Sequence, residues 1–188
     1  MSTSNEIQDY ELLLGQLRKK EAWKSVSGSD KIPWSKSLME KFADKLDWST
    51  LCENSNIKWT EEMIESFKDR IDWYTLSENI YKSGYGQDSK EKDWTLLKKY
   101  ESNWNWDELS RYSENIPLYI LIQFADKWNW KELIDNRNID WSFESYESLK
   151  QYIPIQDFDY LMRSELWEDL VEVEEQIIIG RILESDQV

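Results

Sequence analysis

The residues with the greatest chemical potential in this chain are carboxylates set beside tryptophans. Asp44 with Asp47, and Asp69 with Asp72, each place two acids three residues apart. Two carboxylates flanking a glycosidic bond are what a glycosidase needs, and Trp-rich grooves suit sugars. These pairs recur, however, once in each copy of a repeat, whereas a catalytic pair is needed once per site. Their periodicity reads as helix capping and solvation. Other chemistry is closed by what is missing. The chain has 0 His, which removes the Ser-His-Asp triad, the Cys-His pair and imidazole metal sites. The one cysteine, Cys52, stands where Ser27, Ser77 and Ser110 stand in other copies, so it is read as a small packed residue rather than a nucleophile. SGYG at 83–86 is not GxGxxG, and no GxxxxGK[ST] loop occurs. DNRNIDW at 135–141 lacks the glycine and the acidic spacing of a calcium loop. The chain is therefore read as not an enzyme, with no catalytic, cofactor-binding or metal residues and no cofactor.

The elements that position these residues follow from a period. Trp23, Trp48 and Trp73 lie 25 residues apart, each followed at the third position by Val26, Leu51 or Leu76 and at the fourth by Ser27, Cys52 or Ser77. Ile32 and Ile57, then Trp34 and Trp59, repeat at fixed offsets, so IPWS and IKWT are one element twice. Trp106 leads to Leu109 and Ser110, and Trp130 to Leu133, Ile139 and Trp141. DFDYL at 157–161 matches DWYTL at 72–76, with Phe158 in the Trp place, which makes six copies. Insertions fall within 80–91, near 112–116 and before Asp157, where loops absorb them at small entropic cost.

Each copy predicts two helices. In WSKSLMEKFADKL, Ser35 caps a helix on which Leu38, Met39, Phe42 and Leu46 recur near the 3.6-residue period, and Thr60 opens the same pattern with Met63, Ile64, Phe67 and Ile71. Asp47, Asp72, Asn105, Asn129 and Asp157 each precede the anchoring aromatic and cap a short second helix. Asn54, Asn79, Asn115 and Asn136 follow those helices, where a left-handed residue is suited. Because a helix pair this short cannot bury its apolar face alone, the expected fold is all-α: tandem two-helix repeats of 25 residues stacked as a short α-solenoid with capping helices at both ends. A single domain is expected over 1–188, with an N-terminal cap at about 5–22 carrying Ile7, Leu13, Leu14 and Leu17, repeats at about 23–164, and a C-terminal cap at about 161–184. VEVEEQIII in that last segment alternates enough to permit a strand.

The unit resembles the DWxxLSxNxxIxWS-type repeat of uncharacterised tandem Trp-rich helical proteins of bacteria and of viruses that infect microbes. DWYTLSEN at 72–79 and LCENSNIKWT at 51–60 carry the likeness best, and it runs over nearly the whole chain. Trp94 and the KSGYGQDSKEK insertion depart from it. The resemblance implies the fold and transfers no active residue.

Function is constrained by charge. With 23 basic against 38 acidic residues the net charge is −15, which repels nucleic acid and anionic membranes. No run is apolar enough to span a bilayer, and the opening MSTSNEIQDY lacks the features of a signal peptide, so a cytoplasmic protein is expected. The charge also serves solubility. The leading expectation is a non-catalytic interaction module that binds a protein with a basic patch, in the manner of an acidic inhibitor, an immunity protein or an anti-defence protein. Direct nucleic-acid binding and membrane association are not expected. The proposed contact residues are Asp44, Asp69 and Asp126 on the first helices, with Tyr81, Tyr85 and Trp94 as ring anchors in or beside the insertion. The alternative is an aromatic surface that binds a small ligand or glycan.

Overall fold

The computed structural model describes residues 4–82, 92–139, 141, 143–153, 162 and 165–185. Among them are eleven α-helices and no strand. The chain divides into two compact units, Met1–Leu96 and Leu97–Val188. The first holds α1 (Ser4–Ser27), α2 (Lys36–Phe42), α3 (Trp48–Glu53), α4 (Glu61–Phe67) and α5 (Trp73–Asn79). The boundary falls inside α6 (Thr95–Lys99). The second unit holds α7 (Trp106–Tyr112), α8 (Leu118–Gln123), α9 (Trp130–Asp135), α10 (Phe143–Leu149) and α11 (Glu165–Ser185).

The expected caps form. Ser35 and Thr60 accept from Leu38 N–H and Met63 N–H at the starts of α2 and α4. Asp47, Asp72, Asn105 and Asn129 do the same for α3, α5, α7 and α9. Asp157 lies outside the described residues, as do Tyr85 and Phe158.

The anchoring tryptophans perform two tasks. Each indole N–H reaches back five residues to a carbonyl: Trp48 to Ala43 at 3.1 Å, Trp73 to Lys68 at 3.0 Å, Trp106 to Glu101 at 3.1 Å and Trp130 to Ala125 at 2.8 Å. That bond satisfies a carbonyl left over just past the preceding helix and sets the tight turn into the next. The rings then pack forward on the next copy, Trp23 on Phe42, Trp48 on Phe67, Trp106 on Phe124 and Trp130 on Tyr152, with centroids 4.9–5.6 Å apart. Four of the five anchors are only half-buried, and the deepest point of each copy is the leucine three residues on: Leu51, Leu76, Leu109 and Leu133 are all 0 % exposed.

A second relay joins consecutive short helices. The Ser27 hydroxyl donates to Trp23 O and accepts the N–H of Asp47, the cap of the next copy, at 3.0 Å. Ser110 does the same between Trp106 O and Asn129 N–H. Asn54 donates to Ser27 O and Ser29 O, and Asn136 to Ser110 O and Ser113 O. These asparagines are therefore cross-links between copies in extended backbone, φ −72° and −80°, not the left-handed terminators the sequence suggests. Their side-chain amides are long enough to reach the neighbouring helix end, and that demand overrides the backbone preference. Asn79 remains inside α5 and bonds Thr75 O, while Asn115, at φ 52°, is the left-handed one.

The expectation for the first helix changes, while that of a helix near the other end holds. α1 runs unbroken through Trp23 to Ser27, so the first cap and the first short helix are one element. Leu12, Leu13 and Leu17 on it are 64 %, 52 % and 49 % exposed, so this part of α1 does not yet cover a core. Residues 165–185 are helical, not a strand, and α11 packs on α10. The indole N–H groups of Trp34, Trp59, Trp128 and Trp141 are buried with no acceptor among the described residues.

Asn54→Ala and Asn136→Ala should each lower stability by about 1–3 kcal/mol, because each leaves two carbonyls without the amide that satisfies them. Urea unfolding should show lower midpoints at an unchanged slope. Unchanged midpoints would mean that water replaces the amide without loss.

Candidate functional site

The exposed carboxylates sit where the two tasks of the tryptophans leave them. α2 ends at Phe42 and α4 at Phe67, because Ala43 O and Lys68 O are captured by Trp48 and Trp73. Asp44, Asp69 and Asp126 therefore stand in the turns that follow α2, α4 and α8, not on the helices themselves. Each precedes its Trp by four residues, and each is exposed: the Asp44 side chain is 87 % and that of Asp126 77 % accessible.

Their surroundings differ. Asp44 accepts from Arg70 at 2.6 Å, and Arg70 also donates to Ala43 O. It borders an open cavity of about 340 Å³ that Lys19, Lys20, Trp23 and Lys45 line, with Lys45 Nζ 5.6 Å from the Trp23 ring. Asp44 is thus locally neutralised. Asp126 lies 4.0 Å from Lys127, which bonds Glu101 more closely at 3.0 Å.

Two of the proposed ring anchors, Tyr81 and Trp94, do not present a surface. Tyr81 is 1 % and Trp94 8 % exposed. The two rings stack with centroids 4.3 Å apart and an interplanar angle of 13°. Tyr81 Oη–H donates to Asp93 O at 3.1 Å, and Lys92 Nζ donates to Tyr81 O. Burial pushes the Tyr81 phenol well above its usual range. The physical reason is register. Trp94-Thr95 is the same doublet as Trp34-Ser35, Trp59-Thr60 and Trp141-Ser142, displaced by the insertion. Asp93 accepts from Thr95 N–H at the start of α6. Trp94 is therefore a repeat residue, and with Tyr81 it closes the base of the insertion. The W[ST] doublet was the signal that could have revealed it.

At Asp47 the N–H of Thr50 holds the carboxyl below the usual carboxylate range, with Lys24 and Lys20 assisting. At Asp72 burial pushes the carboxyl up, but bonds from Thr75, Ser49 and Tyr74 outweigh it and leave it lowered. Arg111 donates to Glu132 at 2.9 Å and to Glu108 at 3.2 Å, raising the guanidinium and lowering Glu132. Burial pushes the Cys52 thiol up to about 12, while the Asp72 N–H pulls the other way. Cys52 thus takes the place of the serine in the relay, accepting the next cap's N–H through sulfur. Among the described residues no group of three or more possible metal ligands occurs, and no helix is long and apolar enough to cross a membrane.

No family model, curated protein or solved structure matches this chain.

The lowered Asp47 and Asp72 stabilise the fold above the carboxylate pKa of the unfolded chain, about 3.9, and that contribution is lost as pH falls through the lower folded values. Asp47→Asn with Asp72→Asn keeps both caps as acceptors. The double variant should lose less stability than the parent between about pH 5 and pH 2 in urea titrations. Identical acid limbs would show that these two charges carry no linkage. Native protein should also leave Cys52 unreacted with a thiol reagent at pH 8, with full reaction in denaturant; rapid native labelling would contradict the buried thiol.

Proposed function

We propose that this chain is a non-catalytic protein-interaction module that binds a basic surface of a partner protein, in the manner of an acidic inhibitor or an immunity or anti-defence protein. The observation that carries the reading is the exposed aspartate held at one repeat position, Asp44 and Asp69 in the first unit and Asp126 in the second, by the same Trp-to-carbonyl turn. A carboxylate fixed on a rigid turn loses little conformational entropy on pairing, and a field of −15 steers a cationic partner inward. We read the repeats as a short α-solenoid, an architecture that presents such turns in rows. The same charge disfavours nucleic acid and anionic membrane as direct ligands, and we place the protein in the cytoplasm. Tyr81 and Trp94, buried against each other, offer no exposed ring to a protein partner or to a glycan, so the reading rests on the aspartates.

A protein captured at one-to-one stoichiometry from the native host's lysate should associate more slowly as salt rises from low to physiological strength. Asp69→Lys and Asp126→Lys should each cut the on-rate severalfold with the fold intact. Asp44→Lys should do less, because Arg70 and the nearby lysines already offset that charge. A native partner whose kinetics ignored both salt and the reversals would overturn the acidic-surface reading.

A further inference from the structure

The repeat fixes which positions of its first helix meet water. In the copies that lead to Trp48, Trp73, Trp106 and Trp130, the residues eleven, eight and four places before the Trp are exposed every time. In α2 and the turn after it they are Ser37, Glu40 and Asp44; in α4, Glu62, Glu65 and Asp69; in α6, Thr95, Lys98 and Ser102. Burial falls instead to the position nine before the Trp, where Met39, Ile64, Leu97 and Leu121 are buried. The fold thus asks for nothing apolar at the three exposed places, and three copies put polar residues there.

The copy on α8 departs from this. Its first two exposed places carry Tyr119 and Ile122, 61 % and 48 % exposed, and only the third keeps an acid, Asp126. Neither tyrosine nor isoleucine is a better helix former than the glutamate it stands in for, so local propensity does not account for the change. Large apolar side chains at a position the fold leaves polar are a mark of an interaction surface. Tyr119, Ile122 and Asp126 follow one another at three and four residues, and past α8 the chain keeps turning, with Ala125 N–H on Ile122 O and Trp128 N–H on Phe124 O. The three therefore share one side of the element.

The surroundings define the partner. From Tyr112 to Asp126 the chain carries no basic residue, and its charges are Glu114 and Asp126. Lys127, 4.0 Å from Asp126, is drawn to Glu101 at 3.0 Å, and α10, which packs on α8, exposes Glu144. The two side chains offer far less than the about 800 Å² that each partner buries in a standard interface, and a second copy would bring another net charge of −15 to it. A small apolar centre inside an acidic rim is the layout of a hot spot for a cationic partner.

We propose that Tyr119 and Ile122 are the apolar anchor of the acidic surface, seated in a recess of a partner protein whose rim carries the lysine or arginine that pairs with Asp126. The inference rests on the acidic-surface reading and names the anchor of that same surface. Asp126 brings the partner in, and the two side chains hold it.

Nuclear magnetic resonance of the full chain tests this, with Ile122 methyl and Tyr119 ring signals assigned. Three synthetic peptides serve as probes: an amphipathic helix of leucine and lysine, oligolysine of equal charge, and the same helix with glutamine for lysine. The leucine and lysine helix should shift both signals and bind about tenfold more tightly than oligolysine. Tyr119→Ser with Ile122→Glu, which gives α8 the exposed residues of α2, should keep the helical spectrum, erase that advantage and leave oligolysine binding unchanged. The wild-type signals decide the matter even where the variant misfolds. Oligolysine binding as tightly, with Tyr119 and Ile122 unmoved, overturns the anchor and leaves the acidic-surface reading standing. If neither cationic peptide binds, both fall. Equal shifts with the uncharged helix, movement with protein concentration alone, or movement with a chitin trisaccharide would assign the face to an uncharged partner, a second copy or a glycan, and each overturns the proposal.

Discussion

The constraint on which the rest depends is the shortness of the helices. An α-helix leaves about four N–H groups and four carbonyls without internal partners at its ends. A helix of six or seven residues, such as α3, α5, α7 or α9, is therefore almost all end. Leaving those groups buried and unpaired costs about 1–3 kcal/mol each, more than any such helix recovers from its own propensity. Most of these ends are completed by a side chain, some within the copy and some from the neighbouring one. A serine hydroxyl or the Cys52 thiol takes the next cap's N–H, an aspartate or asparagine takes the first amides, and Asn54 or Asn136 covers the preceding carbonyls. Because one indole both closes a turn and packs on the next copy, an exposed acid four residues before it is carried to the surface as a by-product of the fold.

Much of this could be read in the residues. The period is legible because the same physical demand recurs in each copy, and a capping oxygen is recognisable from its type and its place before an apolar run. Ser35, Asp47, Thr60 and Asn129 all sit where their chemistry predicts. The leucine at the third position after each Trp is legible as core for the same reason. What escaped notice depends on reach across space. Asn54 and Asn136 act through amides that bond residues 23–27 positions away, a distance no local pattern encodes. Tyr81 and Trp94 looked like loop rings because the insertion hid their register, and only the stack between them reveals that they close its base. The fusion of the first cap with the first short helix follows from Ala22, which stands where later copies carry a capping Asp or Asn, a missing signal that a period imposed from later copies overrides.

The division between half-buried tryptophan and fully buried leucine also matters for how consecutive copies hold together. Leucine supplies the area removed from water, at about 25 cal/mol per Å². Tryptophan supplies direction, since its N–H reaches one carbonyl while its ring packs on aromatic rings of the next copy. Units assembled this way carry orientation in residues near the surface, where a half-exposed ring still leaves room for function beside it.

The hydrogen bonds that link copies across the relay span 19–27 residues of chain, whether through Ser27, Asn54, Ser110 or Asn136. Each link therefore closes a loop of nearly the same modest size, and the entropic toll of closure grows only logarithmically with length. Low sequence separation between contacting residues is the topological signature of rapid folding. A nascent chain needs to extend only one copy beyond a given helix before that helix can be completed, so assembly can keep pace with synthesis and expose little unfinished backbone at any moment.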